Sequence, residues 1–181
     1  MNNLITIFIF NQNSNLVLND FQNRIVIGII SLIGGLIGYL FKRSKDKSAA
    51  GFLWTHPTSL PVIAMAVGML WLGVCIPFYL HYKSEYSRLQ AEYDSQQYHL
   101  VEGIVHVMHT QPASGHDTGD IIQIGNVELQ VDAFVETFGY RETIMHGGAL
   151  TEGTYARVYY DYNPTNGDPL PYTILRVDVK K

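Results

Sequence analysis

Four histidines in the second half of the chain are the residues best suited to chemistry: His106, His109, His116 and His146, with Asp117 and Asp120 nearby. Imidazole and carboxylate groups are ligands that zinc favours. His106 and His109 are three residues apart, however, so on a regular strand they point to opposite faces. The chain also has no CxxC or HExxH motif. We therefore expect no metal and no cofactor, and zinc binding by His116 and His146 is the alternative.

Two long connections place histidines beside glycines. Thr110–Gly119 contains Gly115-His116-Asp117, and Glu136–Gly153 contains His146-Gly147-Gly148. Loops on a rigid β scaffold often carry binding residues. The candidates for ligand binding or loop pinning are therefore His116, Asp117, His146, Gly147, Gly148 and Arg157. We favour pinning, in which the side chains of His116 and His146 make hydrogen bonds that hold the two loops together.

No enzyme is predicted. Ser114 lies two residues before His116, but neighbours in one loop do not form a nucleophile–base pair, and no nucleophile-elbow motif is present. No glycine-rich segment has a phosphate-loop spacing either. The single cysteine, Cys75, lies in an apolar run and excludes an intrachain disulfide.

The segment that carries these loops, residues 98–181, is rich in β-branched and aromatic residues punctuated by glycine. It predicts five strands: Leu100–His109, Asp120–Ile124, Val127–Val135, Thr154–Tyr162 and Tyr172–Val179. Gly125-Asn126 predicts a tight turn, Gly103 a bulge, and Asn163–Pro169 a further turn. Short strands without a confident helix favour a small, partly open barrel of OB-like or SH3-like kind.

Several motifs of this segment resemble a family of uncharacterised small bacterial membrane proteins, which have two N-terminal transmembrane helices and a C-terminal β domain. The shared motifs are Val101-Glu102-Gly103, Gly115-His116, His146-Gly147-Gly148, Gly153 with Arg157-Val158-Tyr159, and Ile174-Leu175-Arg176. The chain departs from the family at Leu129-Gln130-Val131-Asp132 and at Ala149-Leu150. The resemblance implies an architecture, and it implies no activity.

The first half supplies the membrane anchor. Ile25–Phe41 and Leu60–Leu80 are free of charged residues and long enough to cross a bilayer core as helices. We therefore divide the chain into an N-terminal tail (1–24), a first span (25–41), a basic loop (42–59), a second span (60–80), a helical stem (81–97) and the β-rich domain (98–181). The tail includes a short apolar stretch, Leu4–Phe10, which lacks the features of a signal peptide and is expected to be disordered or to lie at the membrane interface.

The stem continues the second span. Its apolar and aromatic positions are spaced three and four residues apart, as on one face of a helix: Tyr79, Tyr82, Tyr86, Leu89 and Tyr93. The stripe is either a short coiled-coil seam or the face of an amphipathic helix that lies against the β domain. Gln96-Gln97 is the expected end of the helix.

Glycines crowd the first span. Gly34 and Gly38 form a GxxxG pair, with Gly28 close to the same face, and the second span offers Ala64, Gly68 and Gly73. Small residues let helices approach closely in lipid. The pair predicts helix association, either between the two spans of one chain or between chains of a homo-oligomer.

Charge placement predicts orientation. The loop between the spans carries Lys42, Arg43, Lys45 and Lys47, whereas Arg24 precedes the first span and Lys83 and Arg88 follow the second. The positive-inside rule places that loop in the cytoplasm. The chain is then a multi-pass protein of a bacterial inner membrane, with its C-terminal domain in the periplasm.

The β-rich half is acidic. Residues 100–181 hold eleven Asp/Glu against five Lys/Arg, a poor match for phosphate backbones, so nucleic acid is not an expected partner. The expected partners are the lipid bilayer, further copies of the chain, and a protein or small-molecule ligand. The pattern favours a non-enzymatic, membrane-anchored interaction or sensing module. The alternative is a ligand-gated oligomeric effector or channel-like assembly whose β domain senses a small molecule such as a nucleotide.

Overall fold

The computed structural model describes residues 4–45, 60–163 and 171–180. The chain forms two compact units. One, here called the hairpin, is Leu18–Glu85. The other, here called the sheet domain, combines Met1–Val17 with Tyr86–Lys181. The sheet domain is therefore built from both ends of the chain, whereas the β-rich domain expected from the sequence began at residue 98.

Two long helices dominate the first half: α1, Phe10–Lys45, and α2, Leu60–Asp94. Both are long and apolar enough to cross a membrane. The most apolar window of 18 residues has a mean hydropathy of 2.1 within Val17–Ser44 and again within Leu60–Asp94. Only 11% of each apolar window is buried within the described part of the chain. The predicted spans fall inside these helices. Of the predicted basic loop, residues 46–59 lie outside the described part of the chain.

The two helices of the hairpin approach closely at three glycines, Gly28, Gly35 and Gly68. A Cβ atom on Gly35 would lie 2.8 Å from the carbonyl oxygen of Pro61, and one on Gly68 would lie 3.0 Å from that of Gly28. Gly34 has open space on its Cβ side, and a Cβ on Gly38 would meet only the Pro61 ring, at 3.4 Å. The contact between the described helices therefore depends on Gly28, Gly35 and Gly68 rather than on the GxxxG pair.

The sheet domain contains six antiparallel strands in the order β1-β6-β5-β2-β3-β4. They are β1 (Leu4–Ile9), β2 (His99–His109), β3 (Asp120–Ile124), β4 (Val127–Val131), β5 (Tyr155–Tyr162) and β6 (Tyr172–Lys180). The outline of apolar helices joined to a β domain is confirmed. The predictions of five strands and of a barrel are wrong, because the sheet has a sixth strand and is not closed.

The strand absent from the prediction is β1, in the segment expected to be a disordered or interfacial tail. It pairs with β6, placing Thr6 opposite Asp178 and Ile5 opposite Val179. The register shifts between Thr6 and Phe8, so Ile7 forms a bulge. Phe8 is buried and packs edge-on against Tyr140, with ring centroids 5.5 Å apart. The apolar stretch at the N-terminus therefore forms an edge strand of the sheet.

Strand β2 divides its pairing between two neighbours. Residues 99–104 pair with β5 and residues 105–109 with β3. The register is continuous through Gly103, where a bulge was expected, and shifts between Val107 and His109 instead. Strand β4 ends at Val131 rather than at Val135, because the Asp132 carboxylate accepts the Phe134 N–H and starts a turn. The predicted turn after Asn163 falls on residues 164–170, outside the described part of the chain.

Alternate strand residues point inward and form the core. The fully buried ones include Val105, Ile122, Ile124, Leu129, Val158, Leu175 and Val177. The last turns of α2 cover this core through Leu89, which is 1% exposed. Phe10 is buried against Tyr86 and Tyr93, with ring centroids 6.0 and 5.3 Å apart. The stripe at Tyr86, Leu89 and Tyr93 is therefore the face of an amphipathic helix that packs on the sheet.

Candidate functional site

One buried carboxylate holds both long loops of the sheet domain. Asp120, the first residue of β3, is 2% exposed. Its Oδ1 accepts the Gln111 N–H at 2.7 Å, and its Oδ2 accepts the Ile144 N–H at 2.6 Å. Charged acceptors make stronger hydrogen bonds than neutral ones, and these two satisfy the buried N–H of Gln111 and the partly buried N–H of Ile144. Asp120 thus ties the loop before β3 to the loop after β4.

Gln111 extends this connection. Its side chain is fully buried; its Nε2 donates to Asp132 Oδ1 at 2.9 Å and to the Asp117 carbonyl at 3.3 Å. Its Oε1 accepts the Ala133 N–H at 3.2 Å. Three hydrogen bonds from one side chain therefore join two segments, the loop around Asp117 and the turn at Asp132-Ala133, where they leave the sheet.

The His-Gly-Gly segment is a tight turn of its own. A short 3-10 helix, Ile144–His146, follows the buried Thr143. The Thr143 carbonyl accepts the N–H groups of His146 and Gly148 at 2.9 and 2.8 Å. Gly147 has a φ of +86°, where glycine is favoured, and a Cβ on Gly148 would overlap the Glu142 carbonyl oxygen. Both glycines are therefore explained by backbone geometry.

The two predicted histidines are both exposed, but their contacts differ. His146 Nδ1 is hydrogen-bonded to Thr143 Oγ1 at 2.7 Å, inside its own turn. His116 makes no hydrogen bond or ring contact with any residue in the described part of the chain. Asp117 is also exposed, and its Oδ2 lies 3.5 Å from His109 Nε2. The residues that join the loops are Asp120 and Gln111, and the sequence offered one signal for them, a polar residue at each boundary between strand and loop.

Arg157 takes part in a different structure, the outer face of the sheet. It lies opposite Glu102 in the β2–β5 ladder, and its guanidinium and the Tyr155 hydroxyl both donate to the Glu102 carboxylate. The hydrogen bond from Arg157, followed by that from Tyr155, lowers the pKa of Glu102. The described contacts of Arg157 therefore place it in a cross-strand ion pair and not at the loops.

The histidines do not converge on one point. His106 Nδ1 lies 3.3 Å from Glu152 Oε1, and His109 faces Asp117. Among residues 4–45, 60–163 and 171–180, no group of three His, Cys, Asp or Glu side chains is arranged to hold a metal ion.

Exposed apolar side chains stand on the pinned loops. Phe134 and Met145 are 57% and 55% exposed. The Phe134 ring packs edge-on against His146, with centroids 5.7 Å apart, and fills the space where a Cβ on Gly115 would lie. We call Gly115, Phe134, Met145 and His146 the loop surface. The sequence pattern identified Gly115 and His146 but gave no signal for the two apolar residues.

A cavity of about 230 Å³ lies elsewhere in the sheet domain, lined by Phe8, Val17 and residues 137–142. Its walls include the buried rings of Phe8, Phe138 and Tyr140. The Tyr140 hydroxyl accepts the Ala149 N–H at 2.7 Å. Burial, together with the nearby Glu142 and Asp120 carboxylates, raises the pKa of Tyr140 to about 12. The Tyr140 hydroxyl is therefore neutral at physiological pH.

Comparisons with models of known protein families, with curated proteins and with solved structures find no significant match for this chain.

Proposed function

We propose that the protein is a non-enzymatic, membrane-anchored interaction or sensing module whose sheet domain binds a protein or small-molecule ligand through the loop surface. The observation that supports this most directly is the exposure of Phe134 and Met145 on loops held by the buried Asp120. What distinguishes these two side chains is the ordered loops that carry them, because an aromatic anchor held in place is typical of binding hot spots.

The hydrogen bonds that order the loop surface favour a binding role for it. Ordering a flexible loop on association costs free energy, and a loop that is already ordered avoids that cost. Asp120, Gln111 and Thr143 supply the order through buried hydrogen bonds. The exposed His146 adds a polar edge beside the Phe134 ring, so the surface suits a partner that has both apolar and hydrogen-bonding groups.

The anchor and its orientation are the second part of the proposal. Strand β1 precedes α1 and strand β6 follows α2, yet the two strands pair. If α1 and α2 both cross the bilayer, the two ends of the chain lie on the same side of it. The basic residues near the loop between the helices favour a cytoplasmic loop. The sheet domain then lies in the periplasm of a bacterium, bound to its inner membrane.

A photo-crosslinking amino acid at position 134 tests the loop surface in intact cells. We expect a specific adduct from position 134 and none from position 100, because Leu100 is comparably exposed (54%) but lies on the sheet face. We also expect the adduct to disappear when Asp120→Asn is added. Equal adducts from both positions would contradict a binding role for the loop surface.

The alternative, a ligand-gated oligomeric effector or channel-like assembly, is favoured by the cavity beside Tyr140. Its volume, about 230 Å³, is somewhat below the roughly 300–1,000 Å³ of typical ligand pockets, so it suits a small ligand or part of a larger one. Native mass spectrometry in detergent, with nucleotides added, separates the two functions. A ring of many copies whose melting temperature rises with a nucleotide supports the alternative, whereas a monomer or dimer without that response supports the interaction module.

A further inference from the structure

The two edges of the six-stranded sheet differ in their protection. At one edge, β1 is interrupted by the bulge at Ile7. At the other, β4 pairs with β3 in an unbroken register over Val127–Val131 and has no second neighbour among the described strands. Bulges, prolines and lysines commonly protect exposed edges from pairing with another chain. The β4 sequence, Val-Glu-Leu-Gln-Val, has no proline and no lysine, and Glu128 is its one charged residue.

The backbone groups that β4 leaves open are those of Glu128 and Gln130. Hydrogen-bonded and non-hydrogen-bonded pairs alternate along an antiparallel ladder. In a two-residue hairpin the flanking pair, Ile124 and Val127, is hydrogen-bonded, so Val127, Leu129 and Val131 bond toward β3. The N–H and C=O groups of Glu128 and Gln130 consequently point away from the sheet. Their side chains are solvent-accessible, whereas Leu129 is fully buried.

We propose that β4 pairs with β4 of a second copy of this chain, antiparallel about a two-fold axis at Leu129. In this register Glu128 of each copy lies opposite Gln130 of the other, and the two pairs exchange four backbone hydrogen bonds. The inward faces also match, because Val127 lies opposite Val131. The interface is isologous, as in most homodimers.

Charge selects this register over its neighbours. Shifting the axis to Glu128 would place two Glu128 carboxylates opposite each other, and shifting it to Gln130 would place Glu128 opposite Asp132. Like charges directly opposite each other destabilise an antiparallel pair. Each of these moves of the axis shifts the register by two residues. A register shift of one residue, with the axis between two residues, is excluded because it would place the apolar face of one strand beside the polar face of the other. Only the axis at Leu129 sets each carboxylate against a neutral amide. The proposal does not depend on the function of the loop surface.

Disulfide trapping of the full chain in detergent tests the register. The two variants Glu128→Cys and Gln130→Cys, each with Cys75→Ala and its own tag, are mixed and oxidised. Hydrogen-bonded antiparallel partners have Cα atoms about 5.5 Å apart, which a disulfide spans. We expect a mixed dimer that carries both tags. Ile7→Cys, on the bulged edge, is the matched control and is expected to remain monomeric.

Substitutions that change the charge of β4 test the same register without a crosslink. Gln130→Glu creates two like-charge pairs per dimer and is expected to weaken the dimer about tenfold. Adding Glu128→Lys converts both into opposite-charge pairs and is expected to restore it, which excludes misfolding as the cause. The proposal is overturned if the Ile7→Cys control crosslinks as well as the mixed pair, if neither crosslinks, or if Glu128→Lys fails to restore the dimer.

Discussion

The hairpin and the sheet domain hold their elements together by opposite means. In the hairpin, the close contact occurs where side chains are missing, at Gly28, Gly35 and Gly68. In the sheet domain, the loops are held where a polar side chain is buried, at Asp120 and Gln111. Two apolar helices in lipid have no hydrophobic reason to associate, so close packing and hydrogen bonds between helices, such as that from Ser31 Oγ to the Ala64 carbonyl, would hold such a pair together. Loops in water must satisfy the backbone groups that they bury.

This difference has a direct consequence for mutation. Substitutions that add atoms at the contact glycines should destabilise the hairpin, whereas substitutions that remove buried polar atoms should destabilise the sheet domain. Trp71 lies in the hairpin, so its fluorescence reports changes there separately from changes in the sheet domain.

The largest effect is expected from Asp120→Ala. It removes the acceptor of the buried Gln111 N–H and of the partly buried Ile144 N–H. An unsatisfied buried donor costs roughly 1–3 kcal/mol, so the free energy of unfolding should fall by about 4 kcal/mol. Denaturant titration followed by circular dichroism measures it. Asp117→Ala, at an exposed carboxylate of the same loop, is the control and should change the value by less than about 0.5 kcal/mol. Equal effects of the two variants would show that burial of Asp120 is not what matters.

Alkaline pH should destabilise the sheet domain next most strongly. The pKa of Tyr140 is raised to about 12 in the folded protein, against an ordinary value of 10.0. The raised pKa means that Tyr140 keeps its hydroxyl proton to a higher pH in the folded state than in the unfolded state. The free energy of unfolding is therefore unaffected below pH 10 and falls as the pH rises toward 12, by roughly 3 kcal/mol in total.

The measurement is the urea midpoint between pH 9 and pH 12. Tyr140→Phe should flatten this dependence, although it also removes the hydroxyl that accepts the Ala149 N–H and so lowers stability at neutral pH. An unchanged slope in Tyr140→Phe would assign the alkaline loss to other residues.

In the hairpin, Gly35→Ala should cost about 2 kcal/mol. The new Cβ would lie 2.7 Å from Met65 Cγ and 2.8 Å from the Pro61 carbonyl oxygen, and overpacked contacts cost roughly 1–3 kcal/mol. Gly34→Ala is the matched control, because its Cβ side is open, and alanine there gains helix propensity. The Trp71 indole donates to the Arg24 carbonyl at 2.9 Å, so its fluorescence reports the contact in a Trp54→Phe background. A larger loss from Gly34→Ala would restore the GxxxG pair as the helix contact.

The smallest effect is expected at the histidines. His146→Ala removes the hydrogen bond to Thr143 Oγ1 and should cost about 1 kcal/mol, and His146→Asn, which keeps a hydrogen-bonding group, should cost less. His116→Ala should be close to neutral because the side chain is exposed. Thermal melting with and without a chelator measures both. A chelator effect that disappears in both alanine variants would support the zinc alternative.

Elements with a local signature were readable from the sequence. Uncharged runs of helical length marked the two long apolar helices, and Gly125-Asn126 between two alternating segments marked the β3–β4 hairpin. These patterns arise from interactions among near neighbours, or with lipid and water, that depend little on the rest of the fold. The spacing of Tyr86, Leu89 and Tyr93 likewise identified a helix face but left its partner open.

Only the tertiary structure decided the partners. The pairing of β1 with β6 joins residues about 170 positions apart, and a six-residue apolar stretch looks the same whether it pairs in a sheet or lies on a membrane. The same holds for Gly34 and Gly35, which are neighbours in sequence but differ in what a Cβ would meet. Asp120 reads as one more acid in an acidic segment, and its role follows from burial between two loops. Burial depends on contacts distant in sequence, and a local pattern does not contain them.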